Sequence, residues 1–320
     1  MVSVRSDRGV STVLDITLAL LLVSASILVI GFYLNSSEEG LEDSQADRTA
    51  ETLSATTVSV GYDLEALTES DHYEEPDGVE SYERTTYGPA AGTIAEAAVV
   101  NATVEDERLV PYADSLVDSV AATVEGQFVG SNHHVYITAS WRPYVDSSIR
   151  GNATVGRLPP VTEDTNAVTM TASSGMPAVD DSDLAEAYAE DEELDDLAEP
   201  IARSIVRGYF PVERSQLALE RQRLDRAIKT THYLKMAELV GQDSELERDE
   251  APLARTDSRA DDANDVLVDG LSELISNDLE SGRIGDDLDE IGDDEDELEA
   301  YFEETVSPDD VDITVYTWNP

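Results

Sequence analysis

The sequence contains no cysteine. Disulfide frameworks, thiol catalysis and cysteine-ligated zinc are thereby excluded. Lysine is almost missing as well: Lys229 and Lys235 are the only two, and every other basic residue is arginine. Basic charge is scarce overall, with 20 Lys and Arg against 70 Asp and Glu, a formal net charge of -50. Binding to a phosphate backbone needs a basic footprint, so no nucleic-acid partner is expected. No phosphate loop, dinucleotide glycine pattern or nucleophile elbow occurs. Only four histidines are present, and His133 and His134 point to opposite faces if they open a strand, so they do not readily share a metal. With 70 carboxylates, acidic pairs arise by chance and identify no general acid or base. No enzyme and no cofactor are expected.

Hydrophobic residues make up 41% of the 320 residues, enough for a real core and for an anchor plus one or two folded domains. At low salt a charge of this size repels itself and destabilises the compact state. At molar salt the Debye length shrinks to roughly 3 Å and the repulsion is screened. This acidic, lysine-poor, arginine-retaining composition resembles that of proteins from halophilic archaea.

One long apolar run stands out. Ile16 to Leu34 reads ITLALLLVSASILVIGFYL and carries no charge. At 1.5 Å per residue it is long enough to cross a hydrocarbon core of roughly 30 Å. Arg5 and Arg8 precede it, and Glu38, Glu39, Glu42 and Asp43 follow it. The positive-inside rule then puts the N-terminus in the cytoplasm and the rest outside, as a single-pass protein of the cell membrane. An uncleaved signal anchor fits this segment. A secretory signal cut after Ala25 is a second reading, since Val23-Ser24-Ala25 is small where the peptidase needs it; that cut leaves an apolar mature end.

A third reading rests on Arg8-Gly9-Val10-Ser11. These residues resemble the class III signal of archaeal type IV pilin-like proteins, in which a basic and a small residue precede the cut. The resemblance implies a prepilin peptidase acting between Gly9 and Val10, with residues 10–34 kept as a helix that holds the lipid and later packs against other pilin-like subunits. It covers about 25 residues. Thr12 stands where many haloarchaeal pilins have proline. Leu14 stands where bacterial pilins commonly carry an acidic residue; Asp15, one position later, is the candidate assembly carboxylate. An unpaired carboxylate near a membrane is costly, so Asp15 needs a partner or an interfacial place. The stretch from Val135 to Pro160 is also similar to a haloarchaeal family of membrane-anchored proteins that brings no activity or functional residues with it.

Beyond the run, an α+β ectodomain with a small sheet and several amphipathic helices is expected. The divisions are a cytoplasmic leader at 1–9, the helix at 10–34, a mixed region at 35–180 and a mainly helical acidic region at 181–320. Ala46, Ala50, Leu53, Thr57 and Val60 share a helical face and predict a helix to about Tyr62. Residues 68–89 read as an exposed loop around Pro76-Asp77-Gly78. Helices are predicted over Ala90–Val104 and Asp114–Val124. Val135, Ile137, Ala139 and Trp141 alternate with polar partners, the mark of a half-buried strand; Thr154-Val155, Val168–Ala172 and Val311–Tyr316 are further strands.

After residue 180 the chain turns helical. Asp180 to Asp183 cap the first helix, Leu184–Glu199 is solvated, and Pro200 opens the next helix, which Pro211 ends. Leu217 to Leu239 and Ala263 to Leu279 follow as helices. Gly282–Glu299 is an acidic, glycine-punctuated run. Its Asp287, Asp289 and Gly292 sit at calcium-loop positions, but Ile291 and Leu298 replace two required ligands, so a calcium loop is not supported. Asn35, Asn101 and Asn152 head N-x-[ST] sequons and are candidate glycan acceptors outside the membrane.

The whole implies a pilin-like or pseudopilin-like structural protein acting by surface display or assembly. The alternative is a single-pass anchored cell-envelope binding module that does not polymerise.

Overall fold

The computed structural model describes residues 45–319, apart from 105, 129–132, 192, 222–223, 248–252 and 254–258. The expected membrane helix, leader and cleavage site lie outside these residues. Among the described residues no helix is long and apolar enough to cross a membrane.

The protein is α+β, with eleven helices and two antiparallel sheets among the described residues. Helix α1 spans 45–55. Strand β1 (Thr57–Asp63) pairs with β2 (Glu83–Pro89) as a two-stranded ribbon. Helix α2 (Ala90–Val100) leads through the short β3 (Thr103–Val104) and β4 (Glu107–Arg108) to α3 (Ala113–Gln127). Strands β5 (His134–Trp141), β6 (Ile149–Gly156) and β7 (Asn166–Ser173) follow. The chain then makes eight helices: α4 (Asp181–Asp191), α5 (Leu194–Tyr209), α6 (Val212–Glu220), α7 (Leu224–Leu239), α8 (Asp243–Glu247), α9 (Ala260–Ser281), α10 (Arg283–Ile291) and α11 (Glu295–Thr305). It closes with β8 (Asp310–Trp318).

The main sheet has the order β4-β3-β6-β5-β8-β7. The C-terminal strand enters its interior, between β5 and β7, so the helical segment is an insertion between two neighbouring strands. Register puts Ile137, Val155, Val315 and Val168 in one row, and Ala139, Ala153, Ile313 and Met170 in the next. Side chains alternate across a strand, so these rows make one apolar face.

Helix α2 covers that face, and its composition explains how closely it lies. It presents Ala91, Ala95, Ala97 and Ala98, all buried. Opposite stands Gly151 of β6, where a methyl group would collide with the Ala98 carbonyl. The side chain of Trp141 is fully buried, and its indole N–H donates to the Pro308 carbonyl at 2.8 Å. An apolar ring with one polar atom is tolerated inside when that atom finds a partner.

The helical insertion packs chiefly through α5 on α9. Leu197, Ile201 and Ile205 of α5 and Leu267, Leu271 and Ile275 of α9 are all buried. The two halves share one buried cluster. Asp278 stitches them: its carboxylate accepts from the Tyr144 hydroxyl at 2.7 Å and from the Ser148 amide at 2.8 Å. Tyr209 likewise donates to the Val99 carbonyl at 2.7 Å, across the junction.

Several sequence expectations need correction. The helix after residue 45 stops at 55, and Thr57–Asp63 is a strand. Thr57, Val58 and Val60 are β-branched and the stretch alternates in exposure, which outweighs the helical spacing. The 68–89 loop contains β2, whose partner is that same strand. Pro200 lies within α5 and does not start it; the break falls between α4 and α5. The predicted helix from Leu217 to Leu239 is two helices, α6 and α7. The acidic run after Gly282 is helical too, as α10 and α11. Asp287, Asp289 and Ile291 are therefore turns of a helix and not a calcium loop. Asp180 does cap α4, accepting from the Ser182 amide at 3.1 Å and the Asp183 amide at 3.4 Å.

Candidate functional site

Of the residues singled out in the sequence, Arg8, Gly9, Val10, Asp15 and Asn35 lie outside the described residues. The other two sequon asparagines are neighbours with different surroundings. Asn101 ends α2, and its side-chain amide donates to the Asn152 carbonyl at 2.8 Å. Its side-chain oxygen is buried and has no partner among the described residues. Asn152 is exposed on β6, and so is Thr154. Asn101 is thus a structural tie, whereas the Asn152 amide is open to solvent.

The histidines do not gather. His72 pairs with Glu238 at 3.3 Å, and Lys235 joins the same carboxylate at 2.8 Å. His133 contacts Thr49 of α1 at 3.4 Å, and His134 packs its ring on Trp318 with centroids 5.4 Å apart. No group of three His, Asp or Glu among the described residues is placed to hold a metal.

The strongest electrostatic feature is half-buried on α7. The Lys229 ammonium donates to the Tyr209 carbonyl at 3.2 Å and lies 5.0 Å from the centre of the Phe210 ring. Burial lowers its pKa to about 8. One turn on, burial, with the Lys229 charge adding to it, holds the His232 imidazole down at about 3. His232 packs against Tyr112 at 5.5 Å, and its Nε2 has no hydrogen-bond partner among the described residues. Tyr112 in turn stacks on Tyr62 at 5.8 Å. A catalytic lysine needs a general acid or base in reach and room for a substrate. Lys229 has a carbonyl and an aromatic face, and through them it ties α7 to the end of α5 within the helical insertion.

The second feature is the other face of the main sheet, which is partly to fully exposed among the described residues. Tyr136, Tyr316 and Ala167 form one row; Thr154, Thr138, Thr314 and Thr169 form the next. Tyr136 and Tyr316 pack at 5.9 Å, and the hydroxyls of Thr169 and Thr314 meet at 3.1 Å. These two rows hold no charge, in a chain of net charge -50. Arg150, Asp310 and Asp312 stand to one end of them. β5 and β8 show their alternation in the sequence, but only the strand order reveals that the neutral positions adjoin.

Two clefts lie elsewhere among the described residues. One of about 430 Å³ lies between residues 177–180 and helices α4 and α5, with Arg203, Arg207 and Glu199 on its wall. Arg203 is already paired with Glu199. The other, of about 300 Å³, opens at the end of the sheet among Phe128, His133, His134, Arg157 and Trp318.

Residues 14–318 match a family described as "Family of unknown function (DUF7284)". The chain belongs to this family. The match opens just before the apolar run and closes at the last residue of β8, so the DUF7284 pattern takes in the run, the sheet and the helical insertion together. No curated protein and no solved structure matches the chain. For this DUF7284 member, the functional reading rests on the neutral sheet face and the segment that precedes α1.

Proposed function

We propose that this protein is a membrane-anchored extracytoplasmic structural protein, pilin-like or pseudopilin-like, which acts by display and lateral assembly at the cell surface. The observation that carries the reading is the uncharged run Ile16–Leu34, with arginines before it and acidic residues after it. The family match supports it by including that run. The architecture supports it too: α1 follows the run and lies on an antiparallel sheet. Assembly of so acidic a chain needs a surface where two copies approach without like-charge repulsion. The rows of Tyr136, Tyr316, Thr138 and Thr314 supply such a surface.

The test is made on membranes from cells expressing the full chain at molar salt. The protein is expected in the membrane fraction after alkaline carbonate washing, with a mature N-terminus at Val10 by mass spectrometry. Short-arm crosslinking is expected to give a ladder of multimers. Release by carbonate would refute the anchor. An intact N-terminus together with monomers alone would refute the pilin-like part and leave an anchored module that does not polymerise.

A further inference from the structure

Four large apolar or aromatic side chains stand exposed among the described residues: Tyr87, Leu158, Val161 and Leu217. Two of them fall within one four-residue stretch. Leu158 is 73% exposed and Val161 is 104% exposed, with Pro159 and Pro160 between them. The prolines fix two backbone angles, and the Glu163 amide closes a turn onto the Pro160 carbonyl at 3.1 Å. The tip is therefore stiff, and it holds two aliphatic side chains away from the core.

The topology says where this tip lies. Strands β6 and β7 are not neighbours; β5 and β8 stand between them. The connection 157–165 must cross the ends of both, at the edge where His134 faces Trp318. The same edge receives the start of α1, because Thr49 contacts His133 and Ser54, one turn later, already reaches Met170 in the middle of β7. Residue 45, where α1 begins, thus lies toward the end of the sheet where Leu158 and Val161 project. Residues 35–44 alone separate α1 from the apolar run. At about 3.5 Å per residue they reach at most about 35 Å.

We infer that Leu158 and Val161 insert into the lipid surface and seat the ectodomain on the membrane through the 157–162 tip. The inference rests on the anchor reading above. The partner is a bilayer interface, reached by apolar side chains and not by charge. Arg157 makes no ion pair among the described residues, but Glu163 and Asp164 follow on the same connection, so the 157–165 connection as a whole has no net positive charge. Molar salt screens electrostatic attraction and leaves apolar burial intact, which suits this mode of contact. Exposed apolar side chains on a rigid tip bury area at little entropic cost when they enter the headgroup boundary.

The chain has no cysteine, so single thiols report single sites. Full-length Leu158→Cys, Val161→Cys and Leu217→Cys would each carry an environment-sensitive fluorophore. Leu217 is the control: it is 52% exposed on α6, just after Tyr209, which meets the opposite end of the sheet through Trp141. Each protein is reconstituted at molar salt into phosphatidylglycerol–phosphatidylcholine vesicles, with and without doxyl-labelled acyl chains.

A blue shift and loss of emission to the doxyl lipid at positions 158 and 161, but not at 217, is expected. Labels at 158 and 161 as wet and unquenched as at 217, in a protein that floats with the vesicles, would overturn the inference and leave the anchor standing. A blue shift without lipid quenching would overturn it in favour of contact between copies. Failure of the unlabelled chain to float with vesicles would remove the anchor and the inference together.

Discussion

Acid should weaken this protein through His232. The imidazole titrates at about 6.5 in an unfolded chain and at about 3 in the folded one, because burial beside Tyr112 and the nearby Lys229 charge disfavour the cation. Between those values the unfolded chain binds a proton that the folded chain does not. The His232 contribution to stability is therefore complete above pH 6.5 and is lost as the pH drops toward 3. Each pH unit inside the window costs up to about 1.4 kcal/mol, and relaxation of the site reduces the total to a few kcal/mol. Surface carboxylates act in the opposite direction: protonating them relieves the self-repulsion of a charge of -50.

A variant separates the two effects. His232→Phe keeps a ring against Tyr112 and removes the titrating group. Urea midpoints would be measured for both proteins at molar salt from pH 8 to pH 4. Near pH 8 the variant is expected to match the parent, or to gain about 1 kcal/mol by losing an unpartnered buried nitrogen. Below pH 6.5 the gap is expected to widen steadily in favour of the variant. Parallel curves across that range would refute the argument, since the carboxylates are common to both.

Lys229→Met should stabilise the protein by about 1–2 kcal/mol at neutral pH, because a half-buried ammonium that keeps some water costs less than the full shift implies. The parent alone should then gain stability as pH rises from about 8 toward 10.5, where the folded chain sheds its proton first; urea titration at pH 7 and pH 10 checks both points. Gly151→Ala should lower stability by about 1–3 kcal/mol, since the added methyl meets the Ala98 carbonyl under α2 and the helix must lift; a reduced urea midpoint with unchanged slope is the readout. If the ectodomain is glycosylated in its native host, intact-mass spectrometry should show that Asn152→Gln loses a glycan mass. Asn101→Gln should keep that mass and instead lose about 1 kcal/mol of stability, through its tie to the Asn152 carbonyl.

How much of this was legible from the residues depends on the range of the interaction that decided each element. The strand from Val135 to Trp141 alternates every second residue, and so does Val311–Tyr316; both stand as β5 and β8. Periodicity is local, and local rules reached them. The helix predicted to run past residue 55 shows where they stop. Ala46, Ala50 and Leu53 are buried at helical spacing, but Val58 and Val60 are buried on alternate residues of a strand. That change of period was present in the β-branched Thr57, Val58 and Val60. It was settled by pairing with β2, a partner more than twenty residues away in a stretch too polar to announce itself. In the same way, the acidic residues after Gly282 look like a solvated run because charge dominates the count, yet Ile284 and Leu288 of α10, and Leu298 and Phe302 of α11, are buried at the four-residue spacing of a helix.

The candidate surfaces were hidden for a further reason. A neutral position such as Thr138 or Thr314 carries no signal by itself. It becomes a feature only when β8, from the far end of the chain, is laid between β5 and β7. The same insertion forces the β6–β7 connection to cross two strand ends, and that crossing carries Leu158 and Val161 to the edge where α1 begins. Both surfaces therefore follow from one topological fact, the placing of the last strand in the interior of the sheet. A chain ending before β8 would lose the neutral rows, since two of their central residues are Thr314 and Tyr316. It would also lose the reason for the tip to lie beside His133.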